Sequence, residues 1–281
     1  MSVFLVFIIA LGWLFSYLLE SPVILWIAVI FSVFANFAGY WYSDKIVLAT
    51  TKAVPIDKKD NPELYRIVEN LSITAGLPVP KIYILEESQP NAFATGRNAQ
   101  HAVVAVTRGL LNKLDRAELE AVLAHELSHI GNKDMLLSTM VVILAGFVSV
   151  ISNMFLRINY FGGNKRRDND SGSAIFLIVG ILAAILAPLF ATLMRMAISR
   201  KREFLADASG VLLTRYPDGL IRALKKISED KTPLRVANNA TSHLYISNPF
   251  KGQKVNNKIT NLFMTHPPIE ERIAALKELK V

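Results

Sequence analysis

The chain has 281 residues, a length that accommodates one or two domains. It is 52% hydrophobic and only 19% charged, which excludes an ordinary soluble protein and indicates membrane segments. The net charge of +8 fits basic residues beside membrane spans better than a nucleic-acid-binding surface. The absence of cysteine excludes disulfides, zinc–thiolate sites and cysteine nucleophiles.

Two uncharged apolar runs open the chain, residues 2–19 and 21–43, and each is about long enough to cross a bilayer as a helix. A very short turn around Glu20 separates them. The N-terminus lacks the basic region and the small-residue cleavage site of a removable signal peptide. We therefore predict an uncleaved membrane hairpin over residues 1–43.

A polar stretch begins at Asp44, and the proline-rich residues 54–62 are typical of a linker or turn. Residues 63–75 predict a short helix that is ended by Gly76. Three runs with the composition of β-strands follow, at residues 81–86, 92–96 and 102–106. The sequence thus predicts a small sheet in this part of the chain.

A strongly indicated helix follows the sheet, over Leu119–Ile130. Asp115 and Glu118 have the spacing of a capping box at its start, and Gly131 is a plausible stop. Apolar residues recur at helical spacing along it, namely Leu119, Val122, Leu123, Leu127 and Ile130.

This helix contains the pattern His-Glu-x-x-His at residues 125–129. His125 and His129 are four apart, so on a helix they lie on one face and can offer two imidazole nitrogens to one ion. Glu126 borders the same face, as a general base for a zinc peptidase would. Because the pattern fixes only three positions, a chance match on an ordinary amphipathic helix stays open at this point.

Two further uncharged runs, residues 135–156 and 174–194, indicate a second membrane hairpin over residues 135–195. It would divide one catalytic domain into a first part, 44–134, and a second part, 196–281. The second part contains two more predicted helices, at residues 218–229 and 269–280.

The charges beside the apolar runs predict the orientation of the chain in the membrane. Both parts of the catalytic domain fall on the side that carries most of the flanking lysines and arginines, so the positive-inside rule makes that side cytoplasmic. Lys165, Arg166 and Arg167 in the second external loop disagree with this rule. A second hairpin that enters the membrane without crossing it is the alternative.

Two histidines do not complete a catalytic zinc site, which usually has three protein ligands. Asn132 and Met135 stand where a metzincin would have Gly and His, so that class is excluded. A thermolysin-like site takes a glutamate from a later helix, and Glu203 can supply it. Asp207 and, more weakly, Asp134 are candidates to orient the histidines. The alternative is a pair of surface acids on a polar helix.

With these motifs the chain resembles the HtpX-type membrane zinc endopeptidases, which are related to the CAAX prenyl proteases. The resemblance covers the order of the four apolar runs, and therefore nearly the whole chain. Its motifs are His125–His129, Glu203–Asp207, Asn91–Gly96 and Thr265–Pro268 with Arg272. Each motif alone is unspecific, whereas the combination is specific.

The resemblance implies one Zn²⁺ per chain, bound by His125, His129 and Glu203, with Glu126 as the base. It also implies that His266 stabilises the oxyanion or holds substrate.

Arg272 is expected to act with His266, and Asn91 to lie beside the substrate backbone. Ala92 and Phe93 belong to the same substrate-binding stretch. If this stretch is an edge strand, a peptide could add to it as a further strand, whatever its sequence.

The expected fold is therefore a mainly α integral membrane protein, with four apolar helices in two hairpins. An α+β zincin-like (gluzincin) catalytic domain with a small sheet completes it. The expected function is cleavage of misfolded or damaged membrane proteins at the inner membrane, with the site facing the cytoplasm. A membrane-anchored zinc-binding scaffold is the alternative. A transporter is disfavoured, since the apolar runs contain no charge to line an ion path.

Overall fold

The structure of the chain is a computed structural model that describes residues 2–18, 20–135, 138, 200–236, 241, 244–247, 249 and 267–279. The chain divides into two compact units, and the first includes the N-terminal residues up to Ser43. The second unit begins at Asp44 and contains the sheet and the later helices. The predicted second hairpin, 135–195, lies almost wholly outside the described residues, so it stays a prediction, as do the domain boundaries.

The N-terminal unit contains two apolar helices, α1 (Ser2–Leu18) and α2 (Pro22–Trp41), which pack against each other. Gly12 lies directly against Ala28, so the two backbones approach closely. Within the described part of the chain, α2 is the one helix long and apolar enough to cross a membrane. Large apolar side chains of α2 are exposed, as on a lipid-facing helix: Val23, Trp26, Ile27, Ile30, Val33, Phe34 and Phe37.

The second unit is built on a mixed four-stranded sheet. Its strands lie in the order β1-β2-β4-β3; β2 and β4 are parallel, and the other two pairs are antiparallel. The three predicted strands are confirmed to within a residue or two. The prediction of a linker at residues 54–62 was wrong at its start, because Val54 and Pro55 pair with β2. The strands are β1 (Val54–Pro55), β2 (Lys81–Leu85), β3 (Ala92–Thr95) and β4 (Val103–Thr107).

Seven α-helices of the second unit are described, together with a 3₁₀ helix at Ala99–His101. The polar stretch predicted from Asp44 is in fact helical at its start, and a short helix after β4 was not predicted. The helices are α3 (Ser43–Thr51), α4 (Pro62–Ala75), α5 (Arg108–Lys113), α6 (Arg116–Gly131), α7 (Arg200–Thr214), α8 (Pro217–Glu229) and α9 (Ile269–Glu278).

Helix α6 lies at the centre of this unit. Its predicted capping box is confirmed: Asp115 Oδ1 accepts from Glu118 N, and Glu118 Oε2 accepts from Asp115 N, each at 2.9 Å. The helix packs against β3, α4, α7 and α8, so its side chains are buried on nearly every side. Leu123 and Leu127 have no exposed surface. Groups on α6 are therefore held in one geometry by packing.

The two faces of the sheet contribute to different apolar clusters, as the alternation of strand side chains requires. Ala92 and Ala94 of β3 face the main core with α6. Phe93 faces the opposite way, into a smaller cluster with Val47, Leu85, Ala105, Leu234, Leu244 and Tyr245. Strand β3 therefore connects the core around α6 with a segment near residue 245.

Candidate metal centre

Three metal-ligating side chains meet between α6 and α7. The Nε2 atoms of His125 and His129 lie 3.2 Å apart, one helical turn from each other. Glu203 of α7 places Oε2 3.8 Å from His125 Nε2 and Oε1 3.6 Å from His129 Nε2. Among the described residues this is the one group of three or more His, Cys, Asp or Glu side chains that could hold an ion.

Gly210 explains how α7 comes close enough for Glu203 to reach the histidines. A Cβ atom at this position would lie 2.9 Å from the backbone nitrogen of His125 and 3.1 Å from its Cα. Both distances are below ordinary van der Waals contact, so only glycine permits this crossing. Glu203 and Asp207 lie on the same helix, seven and three residues before Gly210.

The donor set fits a zinc ion on its chemistry and its spacing. Zinc takes imidazole nitrogens and carboxylate oxygens at about 2.1 Å, so tetrahedral ligands lie about 3.4 Å from one another. The two Nε2 atoms lie 3.2 Å apart, and a different oxygen of Glu203 approaches each of them, Oε2 at 3.8 Å from His125 and Oε1 at 3.6 Å from His129. The donor atoms of the three residues lie within 4.8 Å of one another, so the group is compact enough to hold one ion.

Asp207 contacts His125 at Nδ1, and Arg272 holds Asp207 in place. His125 Nδ1 lies 2.9 Å from Asp207 Oδ1. The guanidinium of Arg272 donates two hydrogen bonds to the same carboxylate, from Nε at 2.8 Å and Nη2 at 2.6 Å. Arg272 is fully buried. The pair fixes the imidazole ring in one orientation.

His129 has an equivalent support, formed by Asp134 and Arg202. His129 Nδ1 lies 3.1 Å from Asp134 Oδ2, and Arg202 Nη1 donates to Asp134 Oδ1 at 2.5 Å. The chain reverses just after α6 through Lys133, which has a left-handed φ of 61°. Asp134 N then donates to the carbonyl of His129 at 3.0 Å. This turn brings the Asp134 carboxylate next to the His129 ring.

These contacts favour the same tautomer of each ring in its neutral form. In neutral histidine one nitrogen carries the proton and the other has the lone pair. A carboxylate beside each Nδ1 favours a proton there, so the lone pair lies on Nε2. The two Nε2 atoms are the ones that face each other and Glu203.

The charges of the metal-free site shift two pKa values strongly. Burial alone would lower the pKa of His129, but the hydrogen bond with Asp134 and the charges of Glu203 and Glu126 raise it to about 9. Burial alone would raise the pKa of Asp207, yet Arg272 and His125 lower it to about 2. In the metal-free protein, His129 is thus a cation at neutral pH and Asp207 an anion.

Glu126 is buried next to these groups. It follows His125 on α6, and its carboxylate contributes to the raised pKa values of both His129 and Arg272. It is only 2% exposed.

The residues predicted to bind substrate are buried under another part of the chain. Asn91, Ala92 and Phe93 are buried beneath residues 244–247, and Asn91 Nδ2 donates to the carbonyl of Ser247 at 3.1 Å. The guanidinium of Arg272 is buried and bonded to Asp207, and its predicted role with His266 stays a prediction.

One predicted site residue cannot be placed, and one residue of the site was missed. His266 lies outside the described residues. Arg202 was not predicted as a site residue, because its sequence neighbours Arg200 and Lys201 suggested only a basic membrane flank.

Comparisons with known proteins agree with this geometry. The profile of Peptidase family M48 matches residues 58–280. A "Protease HtpX homolog" of Thermoanaerobacter pseudethanolicus is 47% identical over 270 residues, which cover 95% of this chain and 87% of the relative. A second, from Thermococcus kodakarensis, is 47% identical over 266 residues, 94% of this chain and 89% of the relative.

The crystal structure of Ste24p from S. mikatae has a similar fold, with a TM-score of 0.52 and 22% sequence identity. The match covers 89% of this chain but only 57% of that one. The family match spans most of the chain and includes the described elements that carry His125, His129 and Glu203. The chain therefore belongs to peptidase family M48.

Proposed function

We propose that this metallopeptidase is a membrane-embedded zinc endopeptidase with His125, His129 and Glu203 as its ligands. One observation carries the proposal: one donor atom from each of the three residues lies within 4.8 Å of the others. In addition, an aspartate carboxylate lies beside Nδ1 of each histidine. Two imidazoles, one carboxylate and an open fourth position are the ligand set of thermolysin-type catalytic zinc sites. A bound zinc ion would supply Lewis acidity and lower the pKa of water toward neutrality.

Glu126 is proposed as the general base. It takes a proton from the attacking water and passes it to the leaving amine of the cleaved peptide. A structural zinc site has no need of such a residue, so the buried carboxylate of Glu126 favours an enzyme over a zinc-binding scaffold.

His266 is proposed to stabilise the tetrahedral oxyanion, on the family resemblance of the Thr265–Pro268 motif. Asp207 and Asp134 are proposed to orient the two histidines, through the contacts described above. Arg272 is proposed to act by holding Asp207.

The proposed substrates are proteins or peptides, and in particular damaged or misfolded membrane proteins. The exposed apolar side chains of α2 support a location in the membrane. The proposed topology has four apolar helices in two hairpins and a zincin-like domain facing the cytoplasm of the inner membrane. The basic residues beside the apolar runs support this orientation.

Digestion of casein by the purified protein tests the proposal, with and without a chelator. Glu126→Gln should keep its zinc and lose cleavage, because the amide preserves the shape but cannot accept the proton. Glu120→Gln is a matched control on the same helix and should cleave normally. Undiminished cleavage by Glu126→Gln at normal zinc content would refute the assignment of the base.

A further inference from the structure

The outer edge of β3 is bonded to a distant part of the same chain. Among the described strands β3 is the last in the sheet, so none of them pairs with its outer side. There the carbonyl of Ala92 accepts a hydrogen bond from Ile246 N at 3.1 Å. The residues Leu244–Ser247, here named the covering segment, lie along this edge.

Asn91 contacts the covering segment through both ends of its side-chain amide. Oδ1 accepts from Ser247 N at 3.3 Å, and Nδ2 donates to the carbonyl of Ser247 at 3.1 Å. An amide that bonds both the N–H and the C=O of one residue recognises backbone and is indifferent to side chains. An endopeptidase that binds many sequences requires this kind of contact.

Packing and tethering add to these hydrogen bonds. The rings of Phe93 and Tyr245 meet edge to face, 5.4 Å between centroids and 87° between planes. Gln89 Oε1 accepts from Asn91 Nδ2 at 3.0 Å, and Gln89 Nε2 donates to the carbonyl of Thr232 at 2.6 Å. Gln89, in the polar loop before β3, therefore bonds both the side-chain amide of Asn91 and the backbone at Thr232, which precedes the covering segment in the chain.

Strand β3 packs directly on α6, the helix that carries His125 and His129. An extended peptide bonded to Ala92 and Asn91 would therefore lie beside the metal-ligating helix. The covering segment now makes those same bonds, and Asn91 and Ala92 have at most 1% of their surface exposed. Substrate and covering segment cannot both use them.

We propose that the covering segment is an internal inhibitor, which occupies the substrate-binding edge of β3 and leaves when a peptide binds. The inference rests on the proposed peptidase function and concerns the regulation of its site. In the resting protein the covering segment is an intramolecular competitor, with Tyr245 and Ile246 buried in the two apolar clusters, and a substrate with stronger contacts displaces it. Cleavage is thereby restricted to chains that are already extended and unfolded.

The backbone donor of Ile246 offers the first test, in the full-length protein in detergent micelles. Ile246→Pro removes the N–H that bonds Ala92, whereas the control Ile246→Ala also loses the side chain but keeps the N–H. Loss of one hydrogen bond from the competitor should lower KM for a fluorogenic casein peptide about fivefold relative to Ile246→Ala. Values of kcat and zinc affinity should not change. An equal or higher KM for Ile246→Pro would overturn the inference.

Hydrogen exchange gives a second test that does not alter the covering segment. In the Glu126→Gln protein, the Ile246 amide should be protected without peptide and should exchange at least tenfold faster when the casein peptide saturates the site. Unchanged protection at saturation would overturn the inference, even if Ile246→Pro fails to fold. Failure of the peptidase function itself would be seen separately, as wild-type protein that does not cleave the peptide in a zinc-dependent manner.

Discussion

Asp207 and Arg272 form a double ion pair behind His125, with N–O distances of 2.8 and 2.6 Å and almost no exposure to solvent. The two residues are 65 positions apart and lie on α7 and α9. The pair thus connects the C-terminal helix to the ligand-bearing helix α6. The folding of this unit and the orientation of His125 depend on the same contact.

Replacing Arg272 by Met should destabilise the protein and weaken zinc binding together. The substitution leaves the Asp207 carboxylate buried without its cation, a change that typically costs about 3–5 kcal/mol. Arg272→Lys keeps the charge but not the two-pronged geometry, and it should recover part of the loss. Denaturant titration of metal-free protein measures the first effect. An Arg272→Met protein as stable as wild type would show that the pair contributes no net stability.

Replacing Arg202 by Met should weaken zinc binding, although this residue touches no ligand. It bonds Asp134, which bonds His129, so we expect a loss of affinity below the roughly tenfold to hundredfold loss of Asp134→Ala. Arg200→Met is the matched control, because Arg200 is exposed and pairs with Glu271 only at 3.7 Å. Zinc titration separates the variants. Equal affinities for both arginine variants would argue against the role of Arg202.

Glu203→Ala should remove one of three protein ligands and sharply reduce zinc affinity. Glu203→Gln should also reduce it, because a neutral amide oxygen is a poorer ligand than a carboxylate. Asp207→Ala should have the smaller effect, in the range of about tenfold to a hundredfold. The measurement is competitive zinc titration of purified variants. If Glu203→Ala binds zinc as tightly as wild type, the third ligand lies elsewhere.

Gly210→Ala should move α7 away from α6 and so impair the site without changing any polar group. Its Cβ would be 2.9 Å from the His125 backbone nitrogen, and overpacking of this kind costs about 1–3 kcal/mol. In Gly131→Ala the new Cβ meets only Leu77, at an ordinary 3.8 Å, so this variant is the control. Thermal unfolding and zinc titration should both respond to Gly210→Ala and not to Gly131→Ala.

Zinc binding near neutral pH should release about one proton from His129. Its pKa of about 9 in the metal-free protein lies above the unfolded value, so the ring is protonated until the pH rises through about 9. Zinc affinity should therefore increase about tenfold per pH unit from 6.5 to 8.5. Calorimetry in two buffers of different ionisation enthalpy counts the protons. A buffer-independent enthalpy at pH 7 would contradict the raised pKa.

Local patterns predicted the parts of the site that depend on one helix. The capping box at Asp115 and Glu118 and the spacing of His125 and His129 follow from 3.6-residue periodicity, so the sequence alone places them correctly. Glu203 and Asp207 also follow from helical spacing once a third ligand is required.

Contacts between distant residues could not be predicted in this way. The partners of Arg202 and Arg272 are 68 and 65 residues away, and nothing local distinguishes these arginines from surface ones. Val54–Pro55 forms a strand only because β2 offers it an edge. The bonds between Asn91 and Ser247 span 156 residues, so the edge-strand pattern gave no sign that β3 is covered.

The ion pairs Asp134–Arg202 and Asp207–Arg272 also affect the net charge of the buried site. Glu126, Glu203, Asp134 and Asp207 bring four negative charges to this buried cluster, and Arg202 and Arg272 return two positive ones. With neutral imidazoles the cluster carries a charge of about −2, which a divalent cation cancels fully and a monovalent one does not. Either arginine variant would leave an excess negative charge that favours protons on the imidazoles. The two arginines thereby influence whether protons or a metal ion occupy the imidazole nitrogens, although neither arginine binds the ion.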